Sequence, residues 1–204
     1  MCLHGQTVAG EYIVALPAAV TSADVVAEVE LVSGSEIKST DGFPCGATYT
    51  AHVISAIKGT AEGDILTFGH YTGHSIGLRY FVFLTQMRDR GNASSNAEVL
   101  TGNIASLDRE SRSKCESLWP GYRETYGGLG TIPVIHGDRV SYREAVRLRR
   151  VFYQFPSSLR AVYEDDYPHG PTDPPSGDAQ VEVSDFVDFL ARASSGSKER
   201  LDPP

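Results

Sequence analysis

Four runs carry residues 23–85: ADVVAEVELV (23–32), CGATYTAHVISAIKG (45–59), DILTFGH (64–70) and GLRYFVFLT (77–85). In the first, Val25, Ala27, Val29 and Leu31 alternate with Val26, Glu28 and Glu30, the period of two of a half-buried strand. In the second, Tyr49, Ala51, Val53 and Ile57 share one face while Thr48, Thr50 and His52 share the other, and Lys58-Gly59 ends the run. Leu66 and Phe68 point the same way from a third strand over 64–70. Arg79–Thr85 is apolar on both faces, as expected of a central strand covered on both sides. Short Gly- and Asp-bearing connections separate these runs, with no long helical pattern between them. The order predicts a β-barrel or sandwich.

The remaining chain is more broken. At 204 residues, 41% hydrophobic and 22% charged, it suits one domain with an extension, or two small domains. A chain of this size hides roughly 70% of its unfolded surface, enough for a real core. The net charge of −8 disfavours general polyanion binding, and no stretch of apolar residues is long enough to span a bilayer. Residues 11–20 (EYIVALPAAV) have no basic region before them and are interrupted by Pro17, so they read as a first strand and loop rather than a leader. Residues 33–44 and 87–103 are rich in turn formers and read as surface loops. Ser106–Trp119 reads as a short helix that Pro120 ends, followed by a Gly-rich connection, GYRETYGGLGT. Ser141 and Glu144 match a capping box, and the stripe Ala145, Leu148, Phe152 and Phe155 predicts a helix from Tyr142 to about Gln154. A Pro/Gly linker over 169–178 precedes a closing helix with Ser184 as N-cap and Phe186, Phe189 and Leu190 on its inner stripe. The tail from Ser194 reads as disordered.

The segment ADVVAEVE…CGATYTAHVISAIKGT…GDILTFG…GLRYFVFL resembles bacterial proteins with the netrin-like, tissue-inhibitor-of-metalloproteinases-like OB-fold. In that family a comparable strand, a strand ending in Lys-Gly and a Gly-x-Arg-Tyr-x-Val-Phe-Leu strand recur in this order. The resemblance covers about a third of the chain. It implies a mainly β fold: a five-stranded Greek-key OB-type barrel over 20–135, an N-terminal arm over 1–19, a helical C-terminal extension over 136–193 and a tail over 194–204. It further implies an exported, non-enzymatic protein, periplasmic or extracellular, that meets an unidentified protein partner through loops 33–44 and 88–103 at the barrel rim. No catalytic residue, cofactor or metal is expected.

The resemblance also gives the three cysteines meanings. In an exported chain Cys45 and Cys115 are the pair expected to form a disulfide, since both sit beside elements of the globular body. Cys2 would then be left over. If it were the mature terminus, its α-amine and carbonyl would be placed for the zinc chelation that the animal inhibitors use; a lipid anchor is a second role, and a structural or incidental cysteine is the plainer one. Those inhibitors carry a Cys-x-Cys ridge, and this chain has Cys2-Leu3-His4 instead.

Other motifs compete. GHSIG, residues 73–77, matches the nucleophile elbow with Ser75 in place, but the elbow needs a helix after the serine and here a strand follows. His70 and His74 are spaced for a metal pair on a helix; on a strand-to-turn segment they read as a solvated pair at the rim. Arg143, Arg147 and Arg150 would form a basic stripe on the 142–154 helix. With Tyr49, Tyr71, Tyr80, Phe81 and Phe83 as stacking platforms, they make single-stranded nucleic acid the alternative partner. The acidic balance weighs against it, and pairing with the cluster Glu164-Asp165-Asp166 is the plainer role. Gly127-Gly128-x-Gly130 lacks the Lys-Ser/Thr of a phosphate loop.

Overall fold

The computed structural model describes residues 14–69, 71–87, 114–136, 144–149, 152–156, 158–163 and 178–196, and these are mainly β. A two-residue strand, β1 (Val14–Ala15), leads into α1 (Leu16–Ser22), followed by β2 (Val25–Lys38), β3 (Pro44–Lys58), β4 (Ile65–Gly69) and β5 (Arg79–Gln86). Then come β6 (Tyr122–Glu124), a 3-10 turn (Gly127–Gly130), β7 (Thr131–His136), β8 (Glu144–Leu148), β9 (Tyr153–Gln154), β10 (Val162–Tyr163), β11 (Ala179–Glu182) and α2 (Val183–Ser194).

The main sheet runs β10-β11-β8-β7-β5-β2-β3-β4-β6, and β6 pairs with β5 as well as β4. Strands β5, β2, β3, β4 and β6 thereby form a circuit in which only the β4–β6 pair is parallel. Because side chains alternate across a strand, β2 and β5 serve two cores. Val25, Ala27, Val29, Leu31, Tyr80, Val82 and Leu84 face Tyr49, Ala51, Val53, Leu66 and Phe68 within the circuit. Val26, Phe81 and Phe83 face outward against α1, α2 and the C-terminal strands. There Phe81 meets Phe186 edge-on, with ring centroids 4.9 Å apart. Register shifts in the β2–β3 pairing leave Ile54 and Ile57 without a direct partner, and Ile57 packs against the outer core rather than with Tyr49, Ala51 and Val53.

Lys58-Gly59 has a structural explanation. The Lys58 ammonium donates to the carbonyls of Val20, Thr21 and Ala23 at 3.1, 3.0 and 2.5 Å, covering the C-terminal end of α1, where orphan carbonyls carry partial negative charge. Lys58→Met keeps the stem and removes the donors. It is expected to lower stability by about 2 kcal/mol, the scale of charge-assisted bonds, as a reduced urea midpoint with unchanged m-value.

Several expectations fall. Residues 33–38 are not a loop: β2 continues to Lys38 and pairs with β3 as far as Lys38↔Pro44, leaving only residues 39–43 as the turn. Ser, Gly and Glu read as loop formers, but the β3 partner supplies the hydrogen bonds that make them strand. The helix expected from Tyr142 to Gln154 is replaced by β8 and β9. Ala145, Val146 and Leu148 are buried because β8 lies between β7 and β11, and pairing on both edges overrides the capping signal. The Gly-rich connection contains β6, and the first strand with loop is β1 with α1, whose Pro17 sits in the first turn where its missing N–H costs nothing. The closing helix buries Phe186, Phe189 and Leu190 as expected, yet Ser184 is not its cap. β11 runs directly into it, and Glu182 stands at the cap position without a side-chain cap bond. Of the helix expected over 106–119, residues 114–116 are helical and Trp119 lies beyond it; 106–113 fall outside the described residues.

Candidate functional site

Between β4 and β5 the chain crosses one end of the circuit as a strap, residues 71–78. Gly73 and Gly77 carry φ of +103° and +79°, conformations open to glycine, and this is why GHSIG is a turn and not an elbow. The strap is tied to β2 by Gly77 N–H donating to Leu31 O at 2.7 Å and Leu31 N–H donating to Leu78 O at 3.1 Å. Ser75 donates its backbone N–H to the Tyr80 hydroxyl at 2.9 Å, and the strand that follows places no helix behind it.

His74 turns inward. Its Nε2 lies 2.8 Å from Glu124 Oε1, and the two side chains are 10% and 0% exposed. Tyr49 and Tyr80 flank the imidazole edge-on, with centroids 4.9 and 5.5 Å away. Glu124 reaches the interior because β6 pairs Glu124 with Leu84, so both side chains share the inner face. Its second oxygen, Oε2, is buried without a hydrogen-bond partner among the described residues. A buried carboxylate is costly unless paired, so the His74–Glu124 contact holds the strap against the interior. No sequence signal marked Glu124, since a three-residue strand inside a Gly-rich stretch has no readable period.

Burial raises the Tyr49 phenol, helped by the Glu124 charge and opposed by the backbone amides of His74 and Gly73. Burial, again with the Glu124 charge adding and Arg123 opposing, pushes Tyr71 up to about 12. The unfolded chain releases this proton near pH 10 and the folded chain holds it to about 12, so stability is full below pH 10 and falls between the two values. With Tyr71 only partly buried, about 1–2 kcal/mol is expected to be lost across that window. Tyr71→Phe should flatten that part of a urea-midpoint series taken against pH.

Outside, the strap exposes Ile76 and Leu78, and Val32 beside them is the extra residue of a bulge in β2. These three side chains are 49%, 50% and 45% exposed. Ile76 also lies over Gly34, where an added Cβ would approach its Cδ1 to 3.3 Å. Near the start of β3, Cys45 forms a disulfide with Cys115, packed by Ile37, Phe43 and Trp119. Trp119 donates its Nε1–H to Cys45 O at 2.9 Å.

Arg79, the arginine of the Gly-x-Arg-Tyr run, joins the circuit to the C-terminal strands. It bonds Glu28 of β2 through Nε at 2.8 Å and through Nη2, and Glu144 of β8 through Nη1 at 2.6 Å. Glu144 also lines a cleft of about 410 Å³ with His136, Glu182, Val183 and Ser184.

The other expected site residues are scattered. Cys2, His4 and His70 lie outside the described residues, as do Arg143, Arg150, Glu164-Asp165-Asp166 and loop 88–103. Arg147 sits on a strand and pairs with Asp178 at 3.0 Å, so no helical basic stripe exists at that position. Tyr49, Tyr80, Phe81 and Phe83 are buried and therefore closed to base stacking. Among the described residues, no three His, Cys, Asp or Glu side chains are placed to hold a metal ion, and no helix is long and apolar enough to cross a membrane. Comparison with models of protein families, with curated proteins and with solved structures finds no match.

Proposed function

We propose that this chain is an exported, non-enzymatic binding protein of the netrin-like, tissue-inhibitor-of-metalloproteinases-like OB type, contacting a protein partner at the rim formed by the strap and the β2 bulge. The exposed apolar trio Val32, Ile76 and Leu78 carries the reading: side chains of this size on a held turn, at the end of a rigid strand circuit, suit the apolar centre of an interface. The circuit order, with its one parallel pair, fits a five-stranded Greek-key OB-type barrel. The buried Cys45–Cys115 disulfide fits an oxidising compartment.

A photo-crosslinking residue placed at Ile76 in the natural host tests the interface. One discrete protein adduct is expected there, and none from the same residue at exposed Glu62, beyond the far end of β3. Equal adducts at both positions, or none at Ile76, would remove the rim reading. Mass spectrometry of the natural protein tests export: reduced thiols at Cys45 and Cys115 would refute it.

A further inference from the structure

β2 outruns one of its two neighbours. It pairs with β3 as far as Lys38, but β5 accompanies it only from Val25 to Glu30. The strap adds one step, since Leu31 bonds Leu78 and Gly77 through both of its backbone groups. From Ser33 to Lys38 the edge of β2 that faces away from β3 has no strand beside it among the described residues. Val32, Ser33, Gly34, Ser35 and Glu36 are all exposed, whichever face their side chains take. Six residues of strand span about 20 Å, and alternate residues direct both N–H and C=O to a given edge. We propose that the partner docks on this edge as an extended strand laid beside residues 33–38, a basic segment with apolar side chains at alternate positions. The proposal rests on the contact function argued above and names the form of that contact.

Backbone chemistry selects an extended partner. A row of amides and carbonyls at strand spacing is matched by another extended backbone and not by a helix, whose own groups bond one another. Open edges are commonly blunted by Pro, by Lys or by a covering element. Residues 33–37 contain neither Pro nor Lys, and Lys38 stands only at the far end. The apolar side chains follow from the strap. Ile76 lies over Gly34, so a strand added beside Gly34 brings its side chains on that face against Ile76 and Val32. Charge favours a basic segment over a second copy. Glu30 is exposed just before the edge and Glu36 near its end, and a net charge of −8 sets two copies against each other. Lys38 pairs with Glu36 at 2.9 Å, but both side chains are more than half exposed. Such a surface pair is worth little, and it leaves Glu36 open to a cation from outside.

Photo-crosslinking residues placed singly at Ser33, Ser35 and Glu36 of the full chain in the natural host test the proposal, with the linked positions read by mass spectrometry. All three are expected to capture one protein, and the positions linked on it should follow β2 residue for residue. The sites reached from Ser33 and Ser35 should lie two apart, with the site from Glu36 one further on, in a single contiguous segment. Sites three or four apart would mean a helix, sites in separate segments a folded surface, and adducts with another copy of this chain a dimer. Each of these overturns the proposal, as does the absence of adducts at all three positions. Glu36→Lys, with the crosslinker at Ser35, is expected to lower the adduct yield about threefold, the scale of one exposed ion pair. An unchanged or raised yield would remove the basic segment. Adducts at Ile76 with none along the edge would leave the rim contact standing and strike the added strand. A residue-by-residue ladder along the edge with none at Ile76 would keep the strand and strike the strap contact.

Discussion

His74→Ala is expected to cost about 3–5 kcal/mol at neutral pH, the scale of leaving a buried charge without its partner. Among the described residues, the substitution removes the one group within bonding distance of Glu124 Oε1, and Oε2 has no partner there even in the intact protein. Neither oxygen can turn to water, since the Glu124 side chain is fully buried. The cost should therefore reside mainly in the carboxylate that remains and not in the contacts of the lost ring. Urea denaturation of His74→Ala, Glu124→Leu and the double variant separates these terms. The double variant is expected to recover much of the loss, because replacing both members of a buried pair removes the desolvation penalty as well as the bond. A loss below about 1 kcal/mol for His74→Ala, or strictly additive losses, would mean that the contact is incidental.

The four runs of 23–85 were readable because each is long and its two faces differ in chemistry. β5 is the clearest: RYFVFLT, apolar at every central position, does lie between two cores, with Val82 and Leu84 on one side and Phe81 and Phe83 on the other. Pattern failed where the partner supplies the structure. SGSEIK (33–38) has no apolar alternation, and β3 alone makes it strand. EAVRL (144–148) offers a helical stripe and a cap, and two neighbouring strands overrule both. The interior site was half legible. His74 stood out as a residue, but its acid partner lies 50 positions away on a strand too short to show a period. Its aromatic neighbours Tyr49 and Tyr80 read equally well as platforms for a ligand, and only the fold shows them turned inward.

Gly59→Ala should be among the most damaging of the small substitutions, at about 3–5 kcal/mol. Two penalties add. Gly59 has φ +72°, a conformation that costs a residue with a Cβ roughly 1–2 kcal/mol. The added Cβ would also sit 2.0 Å from Asp24 O and 3.1 Å from Asp24 C, so backbone and not a flexible side chain must move. Asp24 cannot move freely: its N–H donates to Leu84 O at 2.8 Å, and its carboxylate accepts from the Gln86 N–H at 2.8 Å. The displacement would thus be passed to β5, the strand shared by both cores, and to Lys58, which holds the end of α1 one residue earlier. Gly63→Ala is the control. Gly63 has φ +84° but nothing within 4 Å of its Cβ position, so it should lose only the conformational part, about 1–2 kcal/mol. The difference between the two urea midpoints measures the clash alone. If the two variants lose the same stability, the close approach to Asp24 is not what requires glycine after Lys58, and the Lys-Gly ending of β3 would owe its form to the left-handed turn alone.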